Sequence, residues 1–119
     1  MNDYEEKCLA LDKQLAELLG WVATPYHDRD DPSKPMYKVP GTLVYQNPRW
    51  TQDDAEAFRL AVEHEMDTEW YYSGCSATDS NATEAIYKTH LFRDFPGKVA
   101  AMRYAIVQAV INKLKASHG

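Results

Sequence analysis

The chain has 119 residues, enough for one domain that buries a single core without help from disulfides or metals. Its formal net charge of −5 argues against general affinity for nucleic-acid backbone, because such binding needs many Lys and Arg side chains to neutralise phosphates. The 2 cysteines, Cys8 and Cys75, form no CxxC pair, which disfavours a zinc site and suits a reducing compartment. We expect a single domain over residues 1–119, with no metal and no cofactor.

The N-terminus reads Met-Asn-Asp-Tyr-Glu-Glu, whereas a secretory signal begins with basic residues followed by an apolar run. The longest mostly apolar run, Val99–Ile111, is interrupted by Arg103 and Gln108 and is too short to span a bilayer. We therefore expect a cytoplasmic protein that has no membrane partner.

The spacing of apolar residues predicts a first helix over residues 3–19. Its apolar stripe consists of Tyr4, Cys8, Leu11, Leu15 and Leu18. Asn2 or Asp3 can cap this helix, and Gly20 ends it. We expect Trp21, which follows directly, to fold back over the helix end as part of the core.

The run His27–Pro35 is predicted to be a loop, and it lies in a segment, residues 24–48, that contains five of the 6 prolines. Within it, Met36–Val39 and Thr42–Tyr45 alternate weakly on either side of the turn dipeptide Pro40-Gly41. These two pieces predict a weak hairpin.

A second helix is predicted over residues 52–66. Thr51 followed by Asp54 resembles a capping box, and Trp50 is placed to pack against Ala55 as a hydrophobic staple. The expected apolar face consists of Ala55, Phe58, Val62 and Met66. The acidic opposite face is expected to be solvated.

Two strands and a third helix complete the chain. Glu69–Cys75 is aromatic and strand-like, Ala85–Arg93 alternates, and the polar residues 77–82 between them predict an antiparallel hairpin. The last helix is predicted to begin near Pro96. Its expected apolar face consists of Val99, Met102, Ile106, Ala109, Val110 and Leu114.

This order of elements predicts an α+β fold, because an antiparallel sheet must have its apolar face covered by helices. The sheet would consist of the central hairpin and short additional strands, packed with three helices as an α/β/α-type sandwich.

Charge is unevenly distributed along the chain. Residues 53–69 contain seven acidic side chains and one basic one, whereas residues 93–115 contain five basic side chains and one acidic one. Such segments can attract each other within the molecule or between subunits. An anionic ligand should be sought near the basic segment.

Three segments are distinctive in their order along the chain: LDKQLAELLGW (residues 11–21), PRWTQDDAEAFRLAVE (48–63) and FPGKVAAMRYAIVQAV (95–110). Together they resemble the phage ABA-sandwich domain family, a group of small proteins of tailed phages and prophages. The resemblance covers most of the chain and implies a phage or prophage origin and a helix–sheet–helix build. It brings no catalytic residues to carry over.

Enzymatic readings find little support in the residues. The acidic run His27, Asp28, Asp30 and Asp31 lacks the glycine and distal glutamate of a calcium loop, and His64 has no second histidine for an HExxH site. A Cys75–His90 dyad would lack a third group to orient the histidine. Acid–base work by His90 with Glu84 is the remaining enzymatic alternative.

The start of the last helix is the strongest candidate site. Free backbone N–H groups and the helix dipole suit a phosphate, Gly97 permits close approach, and the rings on the hairpin can stack a base. The expected ligand-binding residues are Arg93, Gly97, Lys98, Arg103, Trp70, Tyr71, Tyr87 and His90. The alternative is that these basic residues pair with the acidic second helix.

These observations and the resemblance lead to a functional hypothesis: a non-enzymatic phage or prophage accessory protein that sequesters a nucleotide-type immune signal of the bacterial host. The ligand would be a cyclic or ADP-ribose-type nucleotide. The aromatic residues and open sheet edges also predict a homo-oligomer. The alternatives are an adaptor that blocks a host protein through its aromatic surface and, third, a nucleotide-cleaving enzyme.

Overall fold

The structure, a computed structural model, describes residues 2–27, 29–30, 32, 34–82 and 88–118. The helices are α1 (Asp3–Leu18), α2 (Asp54–Glu63) and α3 (Lys98–His118), with a 3-10 turn at Phe92–Asp94. The strands are β1 (Val22–His27), β2 (Pro35–Lys38), β3 (Tyr45–Gln46), β4 (Met66–Trp70), β5 (Gly74–Asp79) and β6 (His90–Leu91). This confirms the predicted α+β class, with three helices and antiparallel sheets.

Helix α3 is the element on which the others pack. β5, α1 and α2 all lie against it, and its buried residues Ala101, Val107, Val110 and Ile111 form the centre of the core. Leu15 of α1 and Leu60 of α2 meet in the same cluster. No helix within the described ranges is long and apolar enough to cross a membrane.

Both ends of α1 follow from its sequence. The Asn2 side chain accepts from the Glu5 N–H at 2.8 Å, and Glu5 reaches back to the Asn2 N–H, which completes a capping box. Gly20, at φ +82°, lets the N–H of Trp21 donate to the Ala16 carbonyl at 2.9 Å and so closes the helix. Trp21 then packs against Trp50 at a ring distance of 4.9 Å.

The first sheet has the strand order β1-β2-β3 and contains the predicted hairpin around Gly41. The sequence did not predict β1, and the two end residues of the predicted loop, His27 and Pro35, belong to β1 and β2. Ala23 pairs with Tyr37, which is buried, and the Thr24 hydroxyl donates to the Met36 carbonyl at 2.7 Å. Tertiary pairing therefore overrides the turn-forming composition of this segment.

The second sheet has the order β4-β5-β6, with boundaries displaced from those predicted. The turn falls at residues 71–73, inside the expected first strand, because Tyr71 donates its N–H to the Gly74 carbonyl at 2.8 Å. Residues 77–79, expected in the turn, belong to β5. The expected pairing with the later strand is present where Cys75 faces His90, while residues 83–87 lie outside the described part of the chain.

Gly74 is required where β5 meets β6. A Cβ atom built on Gly74 would lie 2.7 Å from the His90 carbonyl oxygen, closer than real contacts allow. The close approach of the two backbones explains why glycine occupies this position.

The buried face of α2 differs from the predicted one. Asp53, not Thr51, caps the helix and accepts from the Glu56 N–H at 3.0 Å. Ala57, Leu60 and Ala61 are buried, whereas Phe58 and Val62 of the predicted apolar face are exposed. The helix is apolar on two sides, and only one of them meets the core.

A buried polar chain joins the three helices. The Asp12 carboxylate accepts from the Thr51 N–H at 3.1 Å and from the Thr51 hydroxyl at 2.7 Å. The Thr51 carbonyl in turn accepts from Arg103 Nε at 2.9 Å, and Arg103 also pairs with Asp54. Burial raises the pKa of Asp12 to about 7, against the opposing effects of Thr51 and Lys34.

Lys113 forms a second link between α3 and its neighbours. Its Nζ donates to the His64 carbonyl at the end of α2 at 2.8 Å and pairs with Asp79 of β5 at 3.2 Å. The Lys113 charge thus lies against a carbonyl at the C-terminal end of α2, where the helix dipole favours a cation.

We predict that Asp12→Asn reduces the loss of stability that occurs as pH rises from about 4 to about 7. Because the pKa of Asp12 is raised, its contribution is complete below about pH 4 and is lost as pH rises through about 7. Between pH 5 and pH 8 the wild type should lose on the order of 2 kcal/mol that Asp12→Asn retains, since the amide can still bond Thr51. Urea unfolding at both pH values measures this, with the exposed Asp67→Asn as control. Equal pH slopes in all three proteins would contradict the assignment.

Candidate functional site

The predicted basic cluster at the start of α3 is divided between different environments. Arg93, Gly97 and Lys98 are exposed, and Lys98 Nζ lies 5.5 Å from the centroid of the Phe92 ring. Arg103 points instead toward α2, where it bonds the Thr51 carbonyl and Asp54. The alternative that the basic residues pair with the acidic helix α2 therefore holds for Arg103, but not for Arg93 or Lys98 among the described residues.

The predicted stacking residues are also separated. Trp70 packs against Phe92 at 6.1 Å, so that Trp70, Phe92 and Lys98 form a row. The Tyr71 hydroxyl donates to Glu69 at 2.7 Å and lies 3.2 Å from the Ser76 hydroxyl. Tyr87 falls outside the described residues.

His90 belongs to β6 and is buried, with its ring directed toward Tyr104 of α3. Its ring is 6.0 Å from Phe95 and 5.9 Å from Tyr104, and neither ring nitrogen has a hydrogen-bond partner among the described residues. Burial is the main cause that lowers the pKa of His90, and the Lys88 charge lowers it further. The pKa of the buried Cys75 thiol is raised by desolvation, so this cysteine is poorly suited to act as a nucleophile.

A largely apolar groove runs between α2, β4 and α3 and encloses about 400 Å³. Its walls include Phe58 and Val62 of α2, Met66 and Trp70 of β4, and Val99 and Met102 of α3. We call this surface the apolar groove. Phe58 is 71% exposed, Val62 61%, Trp70 54% and Val99 50%. Four large apolar side chains are therefore left in water on one concave surface.

The rim of the apolar groove is polar and charged. Asp54 and Arg103, which form an ion pair, contribute to its lining, as does Thr68 of β4. Trp70 and Arg103 are the predicted site residues that this surface brings together. The stripe Phe58, Val62 and Met66 was recognised in the sequence, but its exposure could not be, because Ala57, Leu60 and Ala61 offer the core a second apolar side.

Comparison with protein-family models, curated proteins and solved structures finds no match for this chain. The resemblance to the phage ABA-sandwich family stays a prediction.

We predict different roles for two arginines of the expected basic cluster. Arg103→Ala should destabilise the fold by about 2 kcal/mol, because it leaves the Thr51 carbonyl and Asp54 without their charged donor. Arg93→Ala, at an exposed position, should change stability by less than about 0.5 kcal/mol. Chemical denaturation measures both values, and equal effects would refute the structural role of Arg103.

We predict that His90→Phe protects the fold against acid. Because folding lowers the pKa of His90, the free energy of unfolding falls as pH drops below the unfolded pKa of about 6.5. The two ring nitrogens, which lack hydrogen-bond partners among the described residues, add a desolvation cost. The variant should therefore gain on the order of 1 kcal/mol at pH 5.5 and less at pH 8. Thermal unfolding at both pH values tests this, with His27→Phe on exposed β1 as control. A lower melting temperature for His90→Phe at pH 5.5 would show that the ring nitrogens are satisfied.

Proposed function

We propose that this protein is a non-enzymatic adaptor that acts by binding a different protein in the apolar groove. The observation that carries the proposal is the exposure of Phe58, Val62, Trp70 and Val99 on one concave surface. Apolar patches of this kind, bordered by polar groups, are typical of protein interaction sites. Trp and Phe side chains that fill a partner's pockets are also typical anchors.

The charge around the groove favours a basic partner over a second copy of this acidic chain. Asp54, Glu63, Asp67 and Glu69 lie on α2 and β4, the elements that form two of its walls. Electrostatic complementarity raises association rates and rejects like-charged partners. A homo-oligomer formed through another surface stays compatible with this proposal.

The interior chemistry supports a binding role over an enzymatic one. The two groups of the imagined dyad are buried, the pKa of the thiol is raised and that of the imidazole is lowered. Such shifts favour a neutral thiol beside a neutral ring, whereas nucleophilic catalysis by cysteine needs a thiolate.

A second candidate function is sequestration of a nucleotide-type immune signal in the host cytoplasm by a phage accessory protein. The row formed by Trp70, Phe92 and Lys98 favours it, because an exposed ring and an ammonium group can bind a base and a phosphate together. Arg93 and Gly97 would contribute to the phosphate site, whereas Arg103 is occupied by Asp54.

We predict that substitutions in the apolar groove weaken partner binding and that a substitution elsewhere does not. Phe58→Ser and Val62→Ser each remove an exposed apolar side chain, so the fold should be retained while a captured host protein is lost. Leu43→Ser, also fully outside the core at 88% exposure, is the matched control on the β2–β3 turn. With the purified partner, each groove variant should bind at least about tenfold more weakly, equivalent to about 1.4 kcal/mol.

Equal binding by the groove variants and Leu43→Ser would refute the adaptor proposal. Size-exclusion chromatography with light scattering tests whether a second copy of this chain occupies the apolar groove. Dissociation of a homodimer by Phe58→Ser would show that it does. Thermal stabilisation of the wild type by a cyclic or ADP-ribose-type nucleotide, abolished by Lys98→Glu but not by Phe58→Ser, would favour sequestration. Recovery of a cleaved nucleotide would favour the enzyme.

A further inference from the structure

We propose that the partner enters as an extended segment in which basic and apolar residues alternate, adding a strand to the free edge of β4. This inference rests on the proposed function and specifies the chemistry of the partner. β4 occupies the end of its sheet and pairs with β5 on one side alone within the described residues. It also forms one wall of the apolar groove.

The backbone of β4 offers hydrogen-bonding groups along this edge. Because the Tyr71 N–H points toward β5 and donates to Gly74, strand alternation directs the N–H groups of Thr68 and Trp70 to the opposite side. Neither of these two groups has a backbone partner elsewhere in the described chain. An added strand can pair with them directly.

The two faces of β4 differ in a way that specifies the side chains of an added strand. Met66, Thr68 and Trp70 lie on one face of β4 and line the apolar groove. Their partners on β5, Ala77 opposite Thr68 and Cys75 opposite Trp70, lie on the same face of the sheet and pack in the core. Asp67 and Glu69 share the other face and are exposed. A paired segment would therefore place apolar side chains over Phe58 and Val62 and basic ones beside the two carboxylates.

The same charges oppose pairing of β4 with a second copy of itself. A self-pair that keeps both apolar rows on one face puts Asp67 or Glu69 opposite another Asp67 or Glu69. Like charges at directly opposed positions destabilise a sheet, and natural edge strands use them to prevent association. The charges on β4 therefore disfavour pairing with a second copy of β4 and favour pairing with a basic strand.

The test uses a short acetylated peptide in which lysine alternates with valine. Its first control replaces each lysine by glutamate, and its second keeps the composition but separates lysines and valines into two blocks. The alternating lysine peptide should slow amide exchange at Thr68 and Trp70, measured by NMR, and bind at least about tenfold more tightly than either control. Asp67→Lys combined with Glu69→Lys should reverse the preference toward the glutamate peptide. Glu6→Lys combined with Glu17→Lys, at two exposed positions of α1, changes the net charge by the same amount and is the control.

Several results would overturn this inference while sparing the adaptor proposal. One is absence of binding by the alternating peptide; another is binding that leaves exchange at Thr68 and Trp70 unchanged. A third is an authentic partner that is lost by Phe58→Ser but binds the double lysine variant as well as it binds the wild type. In contrast, a partner retained by Phe58→Ser and Val62→Ser would refute the adaptor proposal itself.

Discussion

The hydrogen bonds from Thr51 to Asp12 are the constraint on which the arrangement of helices depends. A carboxylate that is 1% exposed must be satisfied by nearby donors, and Thr51 supplies both its N–H and its hydroxyl. Its carbonyl remains available to Arg103. One residue therefore connects α1 to α3 immediately before α2 begins, and every group in this buried chain has a partner.

This constraint also determines which side of α2 faces the core. With Thr51 directed inward, Asp53 takes over as the cap and Leu60 and Ala61 turn toward α3. Phe58 and Val62 are then left facing water beside Trp70 and Val99. The apolar groove is thus a consequence of how a buried polar group is satisfied, and its exposed surface costs solvation free energy that a bound partner could recover.

The predictability of each element follows the kind of interaction that forms it. The caps of α1, the position of α3 and the α+β class depend on local spacing, so Asn2, Gly20 and Val110 could be interpreted correctly from the sequence. The predicted face of α3 was only partly right, because Val107 and Ile111 are buried outside it and Val99 within it is exposed. The inner face of α2 depends on Asp12, 39 positions before Thr51, and no local pattern contains that information. β1 and the displaced turn at residues 71–73 likewise depend on pairing between strands.

Internal ion pairs explain why the acidic segment, more than the basic segment, leaves charges available at the surface to bind a partner. Arg103 is held by Asp54 and Thr51, and Lys113 by Asp79 and the His64 carbonyl, so two cations of the basic segment are used internally. Glu63 and Asp67 form no ion pair with any described residue. Because the acidic residues Asp67 and Glu69 lie on β4, whose outer edge is unpaired within the described residues, charge and backbone geometry both favour the basic, extended partner that we propose.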